Sequence, residues 1–131
     1  MTAFLISSDI YRKTHYGGKH PLNIPRVGPT LDLIKAMSWY SDTSFVNAPI
    51  AKPSLLEKFH SKDYINVLQE VDEKQKIDEY WSKKYNLGTP SNPLFKGMYK
   101  RPATSVGGAV VAAEYAFLYG RAFNLGGGLH H

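Results

Sequence analysis

The segment that most restricts the possible folds of this chain is a long helix followed by a short strand and three glycines. Residues 98–119 predict the helix, and Gly120 ends it, because glycine readily adopts the backbone conformation that terminates helices. Residues 121–125 (RAFNL) predict a strand, and the glycines at 126–128 follow it directly. Ligands of open α/β sheets bind beyond the carboxyl ends of the strands. The glycine run therefore predicts a binding edge.

The order of the other apolar segments favours an α/β fold with a parallel sheet flanked by helices. Residues 3–7 (AFLIS) and 45–50 predict short strands. Three polar residues are predicted to cap helical segments: Thr30, Ser54 and Ser61. Two of these helices have apolar residues at helical spacing, namely Leu31, Leu33, Ile34 and Met37 in the first and Tyr64, Ile65, Leu68 and Val71 in the last. Strands alternating with helices predict parallel pairing.

Three segments show neither the periodicity of a helix nor that of a strand. Residues 9–29 and 86–97 are rich in glycine and proline and predict long loops. Residues 72–84 (DEKQKIDEYWSKK) are highly charged, and we expect them to fray into solvent.

A glycine pair inside the long helix predicts close packing against another backbone. Gly107 and Gly108 each cost up to about 1 kcal/mol relative to alanine in a helix interior. With Ala109, Ala112 and Ala113 they form a face of small residues. A neighbouring segment can approach such a face closely, and that contact would offset the cost.

Composition excludes several classes of protein. The chain has no cysteine, so neither a disulfide framework nor a thiolate metal site can form within it. Its 16 Lys and Arg against 11 Asp and Glu give a net charge of +5, but the basic residues are scattered, which favours an ordinary solvated surface over a specific nucleic-acid site. No signal peptide and no apolar stretch of about 20 residues is found, so a membrane partner is not expected. We expect a cytoplasmic protein.

The adjacent histidines His130 and His131 suggest acid–base chemistry. The unperturbed pKa of imidazole, about 6.5, suits proton transfer near neutral pH. A His-His pair alone is weak evidence, and at this position it could also be the remnant of an affinity tag. The sequence before it decides between these interpretations.

The pair ends a segment that resembles the strand-glycine-His-His motif of the histone deacetylase family, which includes acetoin-utilisation proteins and acetylpolyamine amidohydrolases. Five motifs occur in the family's order: HPLNIPRV (20–27), KFHSKDYINVL (58–68), LGTPSNPLFKGMY (87–99), PATSVGGAVVAAE (102–114) and NLGGGLHH (124–131). Together they are far more specific than any one alone. The resemblance implies the N-terminal part of the arginase/deacetylase fold and a zinc-dependent deacylase acting on acylated lysine or a small acylated amine.

The resemblance also implies roles for individual residues. His130 and His131 match the paired histidines that act as general base and acid at a zinc-bound water. Arg26 matches an arginine that lines an internal channel, although a surface arginine is the alternative. Gly127 and Gly128 are expected at the substrate and channel walls.

Several aromatic residues invite structural as well as functional interpretations. Phe59, His60 and Tyr64 are expected to pack a helix on the sheet. Tyr11 and Tyr16 could border the substrate mouth or could simply be packed.

Two departures from the family pattern stand out. The loop before the glycine-pair helix carries a substrate-holding aspartate in many relatives, whereas Ser91 and Asn92 occupy the best-matching positions here. A neutral side chain accepts hydrogen bonds more weakly than a carboxylate. A small-molecule substrate, or one held differently from a peptide, therefore gains weight. The second departure is that the family's zinc ligands would all lie beyond His131, so no metal ligand is expected within the chain.

Residues 1–131 are accordingly predicted to be a partial domain, truncated after the His-His motif. We expect an exposed sheet edge, an apolar patch and no catalysis by the isolated chain. The alternative is a non-catalytic scaffold or interaction protein that keeps half of the fold and self-associates through the exposed edge. Ureohydrolase chemistry on the related arginase fold ranks lower, because that branch binds two manganese ions and its motifs do not fit NLGGGLHH.

Overall fold

The computed structural model describes residues 2–13, 16, 20 and 23–128. Among these residues, three strands form one sheet: β1 (Phe4–Ser7), β2 (Phe45–Asn47) and β3 (Ala122–Asn124). The same ranges contain six helices: α1 (Ile10–Lys13), α2 (Val27–Ala36), α3 (Pro53–Leu56), α4 (Lys62–Lys74), α5 (Glu79–Tyr85) and α6 (Lys100–Tyr119). A short 3-10 turn, Asp42–Ser44, leads into β2.

The sheet confirms the predicted α/β fold with parallel strands. Its order is β2-β1-β3, and β1 pairs in parallel with both neighbours. Leu5 lies opposite Phe45 on one side and Phe123 on the other. All three strands therefore end at the same edge, where the glycines of residues 126–128 follow β3.

The glycine pair of α6 allows the close packing that the sequence predicted. A Cβ atom on Gly107 would lie 2.0 Å from the Pro49 carbonyl oxygen, and one on Gly108 would lie 2.9 Å from Asn124 Oδ1. No side chain fits at either position without moving backbone or a packed amide. Gly120 ends the helix with φ of 92°, as expected.

The main apolar core lies between α3, α4 and the start of α6. Its buried members include Leu56, Ile65, Leu68, Leu87 and Ala103. Ser61 caps α4 as predicted, because its hydroxyl accepts a hydrogen bond from the Tyr64 amide at 3.3 Å. Phe59 does not pack as predicted, since 89% of its surface is exposed.

The predicted start of the first long helix is wrong. Helix α2 begins at Val27 rather than after Thr30. Pro29 falls in its first turn, where the missing N–H group of proline costs little because amides there have no partner within the helix. The Thr30 hydroxyl donates to the Arg26 carbonyl at 2.7 Å, inside the helix rather than as a cap. Residues 9–29 are likewise not all loop, because they also include α1.

Two further predictions need correction. The short helix α3 is preceded by Lys52 and begins at Pro53, so Ser54 lies within it and does not cap it. Residues 72–84 do not fray: α4 continues to Lys74, with Gln75 as its C-cap, and α5 follows. An apolar face recurs every four residues in this segment and packs against the core through Ile77, Trp81 and Tyr85. This packing stabilises the segment although its other face is charged.

Large apolar side chains are exposed near the end of α6 and on β3, as expected for an incompletely covered sheet. The exposed fraction is 90% for Phe117 and 60% for Phe123. β3 is also an edge strand of the described sheet. Within the described ranges, no helix is both long and apolar enough to cross a membrane.

Candidate functional site

A cavity lies at the carboxyl end of β3, at the predicted binding edge. Its volume is about 330 Å³, and the glycine run forms one wall. The helix α6 forms the opposite wall, and tyrosines from the N-terminal region complete it. The polar or charged side chains of the lining are Tyr11, Tyr16, Arg101 and Ser105.

The carbonyl group of Gly126 is held by two side chains that are distant in sequence. The Ser105 hydroxyl donates a hydrogen bond to it, and the Tyr11 hydroxyl lies 3.4 Å from the same oxygen across 115 residues of sequence. A Cβ atom on Gly126 would lie 2.1 Å from Tyr11 Cζ. Only glycine can occupy position 126 while the tyrosine ring stays in place.

The next two glycines form a tight turn away from the strand. The amide of Gly128 donates to the Gly126 carbonyl at 2.8 Å, and Gly128 has φ of 90°, in the region that favours glycine. Both Gly127 and Gly128 are exposed and line the cavity. The Gly126 carbonyl thus accepts three hydrogen bonds, which fixes where the turn begins.

Asn124 links the strand that precedes the glycine run to α6. Its side-chain amide donates to the Ser105 carbonyl at 3.3 Å, joining β3 to α6. Its Oδ1 atom is buried and has no hydrogen-bond partner among the described residues. The side chain is also packed against Gly108, so the glycine pair and the glycine run are coupled through one residue.

Arg101 lies beside two aromatic rings at the cavity mouth. Its guanidinium carbon is 5.6 Å from the centroid of the Tyr11 ring and 5.5 Å from that of the Tyr16 ring. Such distances favour cation–π attraction. Burial raises the pKa of the Tyr11 phenol, and the Ser105 hydrogen bond and the Arg101 charge offset part of that rise. The phenol therefore keeps its proton at neutral pH and can donate to Gly126.

A second groove, of about 390 Å³, lies on the other side of α6 from the glycine run. It shares Tyr16, Pro102 and Val106 with the first cavity, so the two adjoin along the helix. The sequence did not single out this groove, nor Arg101 and Ser105. Their spacing of four residues places Arg101 and Ser105 on one face of the predicted helix, which was the available signal.

The structure separates the residues predicted at the substrate and channel walls. Arg26 is exposed and lies before α2; it lines a small hollow that adjoins the first cavity through Tyr11, Tyr16 and Arg101. This placement neither confirms nor contradicts a channel role. Gly127 and Gly128 line the first cavity itself.

Ser91 and Asn92 lie in the loop before α6, away from the glycine run. Ser91 is exposed, and its hydroxyl is 3.3 Å from that of Thr89. The Asn92 side chain donates to the Asn86 carbonyl at 3.1 Å, and Asn92 borders the second groove. Asn92 is therefore tied to its own loop in this structure.

The two predicted catalytic residues, His130 and His131, lie outside the described residues. Within the described part of the chain, no group of three His, Cys, Asp or Glu side chains could hold a metal ion. The described residues therefore do not form a zinc site.

The structure is that of an α/β domain with a cavity at the carboxyl end of a parallel strand. The chain belongs to the histone deacetylase family, because the sequence profile of the histone deacetylase domain matches residues 20–131.

Similar proteins agree with this assignment. The acetoin utilization protein AcuC of Bacillus subtilis (strain 168) is 34% identical over 129 residues, which are 96% of this chain and 33% of that protein. AcuC of Staphylococcus aureus (strain MW2) is 33% identical over the same shares of the two chains.

The fold agrees as well. The crystal structure of an HDAC homologue from Aquifex aeolicus superposes with a TM-score of 0.91 at 36% identity, covering 100% of this chain and 35% of that one. An HDAC homologue in complex with SAHA gives the same values. The chain thus spans about a third of the length of these relatives.

Proposed function

We propose that this chain is part of a deacylase that hydrolyses the amide of an acylated lysine or a small acylated amine. In this proposal, the chain supplies the residues that transfer protons during the reaction. One observation carries the proposal: the glycine run that precedes the His-His pair in the sequence is hydrogen-bonded in place beside a cavity. The carbonyl of Gly126 is fixed by Ser105, Tyr11 and Gly128. That anchoring sets where the following residues begin.

The reaction consumes one water and releases a carboxylic acid and an amine. A carbon–oxygen bond forms at the carbonyl, the carbon–nitrogen bond breaks, and the leaving nitrogen takes a proton. His130 and His131 are proposed as the base that accepts the water proton and the acid that delivers one to the amine. The contribution proposed for the described residues is to anchor the start of the glycine turn that precedes this pair in the sequence.

The same proposal includes zinc dependence, which is inferred from the resemblance to the histone deacetylase family. The described residues do not fit a zinc ion, so the ligands would come from residues outside them. We therefore propose that the isolated 131-residue chain does not hydrolyse amides, whereas the full product of its gene does.

The experiment compares these two proteins on an acetyl-lysine peptide and on an acetylated diamine. Free acid and free amine are quantified by chromatography, before and after dialysis against a chelator and after zinc is restored. We expect equal amounts of acid and amine from the full product, loss on chelation and recovery with zinc. Turnover by the 131-residue chain would contradict the proposal, as would a full product that cleaves neither substrate.

The two substrates also distinguish between substrate classes. Ser91 and Asn92 are neutral, and Asn92 is bonded to its own loop. A small acylated amine is therefore expected to be cleaved at least as well as the peptide. Because an HDAC homologue was crystallised with SAHA, inhibition of the full product by SAHA would further support the family activity.

A second candidate function is a non-catalytic scaffold that self-associates through the edge of the sheet. The exposure of Phe117 and Phe123 favours it, because large exposed apolar patches mark interaction sites. Sedimentation of the purified chain tests this candidate. We expect Phe117→Ser combined with Phe123→Lys to shift the protein toward monomer, whereas Tyr80→Ser, an exposed aromatic on α5, should not. A chain that is monomeric before any substitution would exclude it.

A further inference from the structure

The two cavities lie on opposite flanks of one ridge of α6. Successive helical residues are about 100° apart, so Pro102 and Val106 share one row. Ser105 projects to one flank of that row, toward the glycine run, and Ala103 projects to the other, toward α4. The lining residues agree with this geometry, because Ser105 borders only the first cavity and Ala103 only the second.

The side chains that form the ridge between the cavities are accessible to solvent. Val106 is 39% exposed, and Pro102 is exposed as well. Tyr16 lines both cavities, and its ring packs against Phe95 with centroids 4.7 Å apart. A ligand that entered the first cavity could therefore continue past Val106, beside Tyr16, into the second groove.

The two cavities differ in chemistry. The first contains the Arg101 guanidinium and the hydroxyl groups of Tyr11 and Ser105. Among the described residues, the second groove is lined by no Asp, Glu, Lys or Arg. Its polar side chains are uncharged or imidazole groups, His60, Asn92 and Tyr99 among them, and its floor consists of buried core side chains that include Leu68, Leu87 and Met98. An arrangement of this kind suits a molecule with a polar head and an aliphatic tail.

We propose that the second groove binds the aliphatic tail of a medium-chain acyl group whose carbonyl end lies in the first cavity. This inference rests on the proposed deacylase function and specifies its substrate class. The acyl side of the amide is the one that fits, because the amine side carries a positive charge for which this groove offers no carboxylate partner among the described residues.

Chain-length dependence of hydrolysis is the first test. The full gene product is assayed on lysine peptides carrying acetyl, hexanoyl and decanoyl groups. Each methylene that becomes fully buried should raise kcat/KM about fourfold, so the longer acyl groups should be preferred. Val106→Trp raises the ridge and should abolish that preference, whereas Val106→Ala should preserve it.

Val110→Trp is the matched control for this series. Val110 lies one turn further along α6, is 37% exposed and lines neither cavity. It should leave the chain-length preference unchanged, and thermal unfolding of each variant checks that the fold is intact. Equal kcat/KM for the three acyl groups would overturn the inference while leaving the deacylase function in place.

Binding to the 131-residue chain gives a second readout that needs no catalysis. Decanoate and acetate are titrated by calorimetry into the chain and into the Val106→Trp and Val110→Trp variants. We expect decanoate to bind much more tightly than acetate, and only Val106→Trp to weaken it, by at least tenfold. Binding of decanoate that is no tighter than that of acetate, or is equally strong in both tryptophan variants, would overturn the inference even if no amide were cleaved.

Discussion

At the scale of single residues, Gly126 illustrates how sequence-distant side chains build the site. Tyr11 comes from the first short helix, and Ser105 from the last long one, yet both contact the same carbonyl group. The sequence indicated a glycine run at a sheet edge, and that prediction is confirmed. It could not indicate which side chains hold the run, because no local pattern relates residues separated by 115 positions.

Substitution of Gly126 by alanine should damage the site specifically. The new Cβ would overlap the Tyr11 ring, which is itself held by Gly126 and Arg101, so we expect a loss of about 1–3 kcal/mol in the free energy of unfolding. Gly127→Ala is the control: its Cβ would lie 3.2 Å from the Asn124 carbonyl oxygen, a contact that a small shift relieves. Urea unfolding of both variants measures the difference. Equal stability of the two would contradict the described contact between Gly126 and Tyr11.

At the scale of elements, α6 is the element on which both cavities depend, and a buried carboxylate fixes its start. Asp72, from α4, accepts hydrogen bonds from the amides of Gly97, Tyr99 and Lys100, the last two at 3.3 and 3.2 Å. A carboxylate at a helix N-terminus satisfies amides that have no partner within the helix and interacts favourably with its dipole. The charged segment beginning at Asp72 was expected to fray, so this role was not predicted from the sequence.

Asp72→Asn should therefore destabilise the chain although the shape of the side chain is kept. An amide nitrogen would face backbone donors, and one or two charge-assisted hydrogen bonds would be lost, for about 2–4 kcal/mol. Glu73→Gln, at the exposed neighbouring position, should change stability by no more than about 0.5 kcal/mol. Thermal unfolding followed by circular dichroism compares the two variants. A loss no larger for Asp72→Asn than for Glu73→Gln would show that Asp72 does not anchor α6.

The helices and strands themselves were predicted unevenly, for physical reasons. Ser61 and Gly120 give strong local signals at helix ends, and both predictions are confirmed. The start of α2 was misplaced because Thr30 suits a cap by type, whereas its hydroxyl bonds back to the preceding turn. Helix α5 was missed because its charges conceal an apolar face that gains its stability only from tertiary packing.

At the scale of the whole molecule, the chain spans about a third of the length of its relatives and has large apolar side chains exposed at the end of α6 and on β3. The parallel strands of the described residues and the glycine-pair helix follow the order that the apolar segments of the sequence predicted. The roles of His130, His131 and Arg26 stay predictions.

The most direct test of the account is the effect of the histidine pair on hydrolysis by the full gene product. kcat/KM for an acyl-lysine peptide is measured for the unsubstituted protein and for His130→Ala and His131→Ala, with melting temperatures as the check on folding. General acid–base catalysis contributes about 10²–10⁴-fold, so each variant should lose activity on that scale and keep its fold. Full activity in both folded variants would contradict the account.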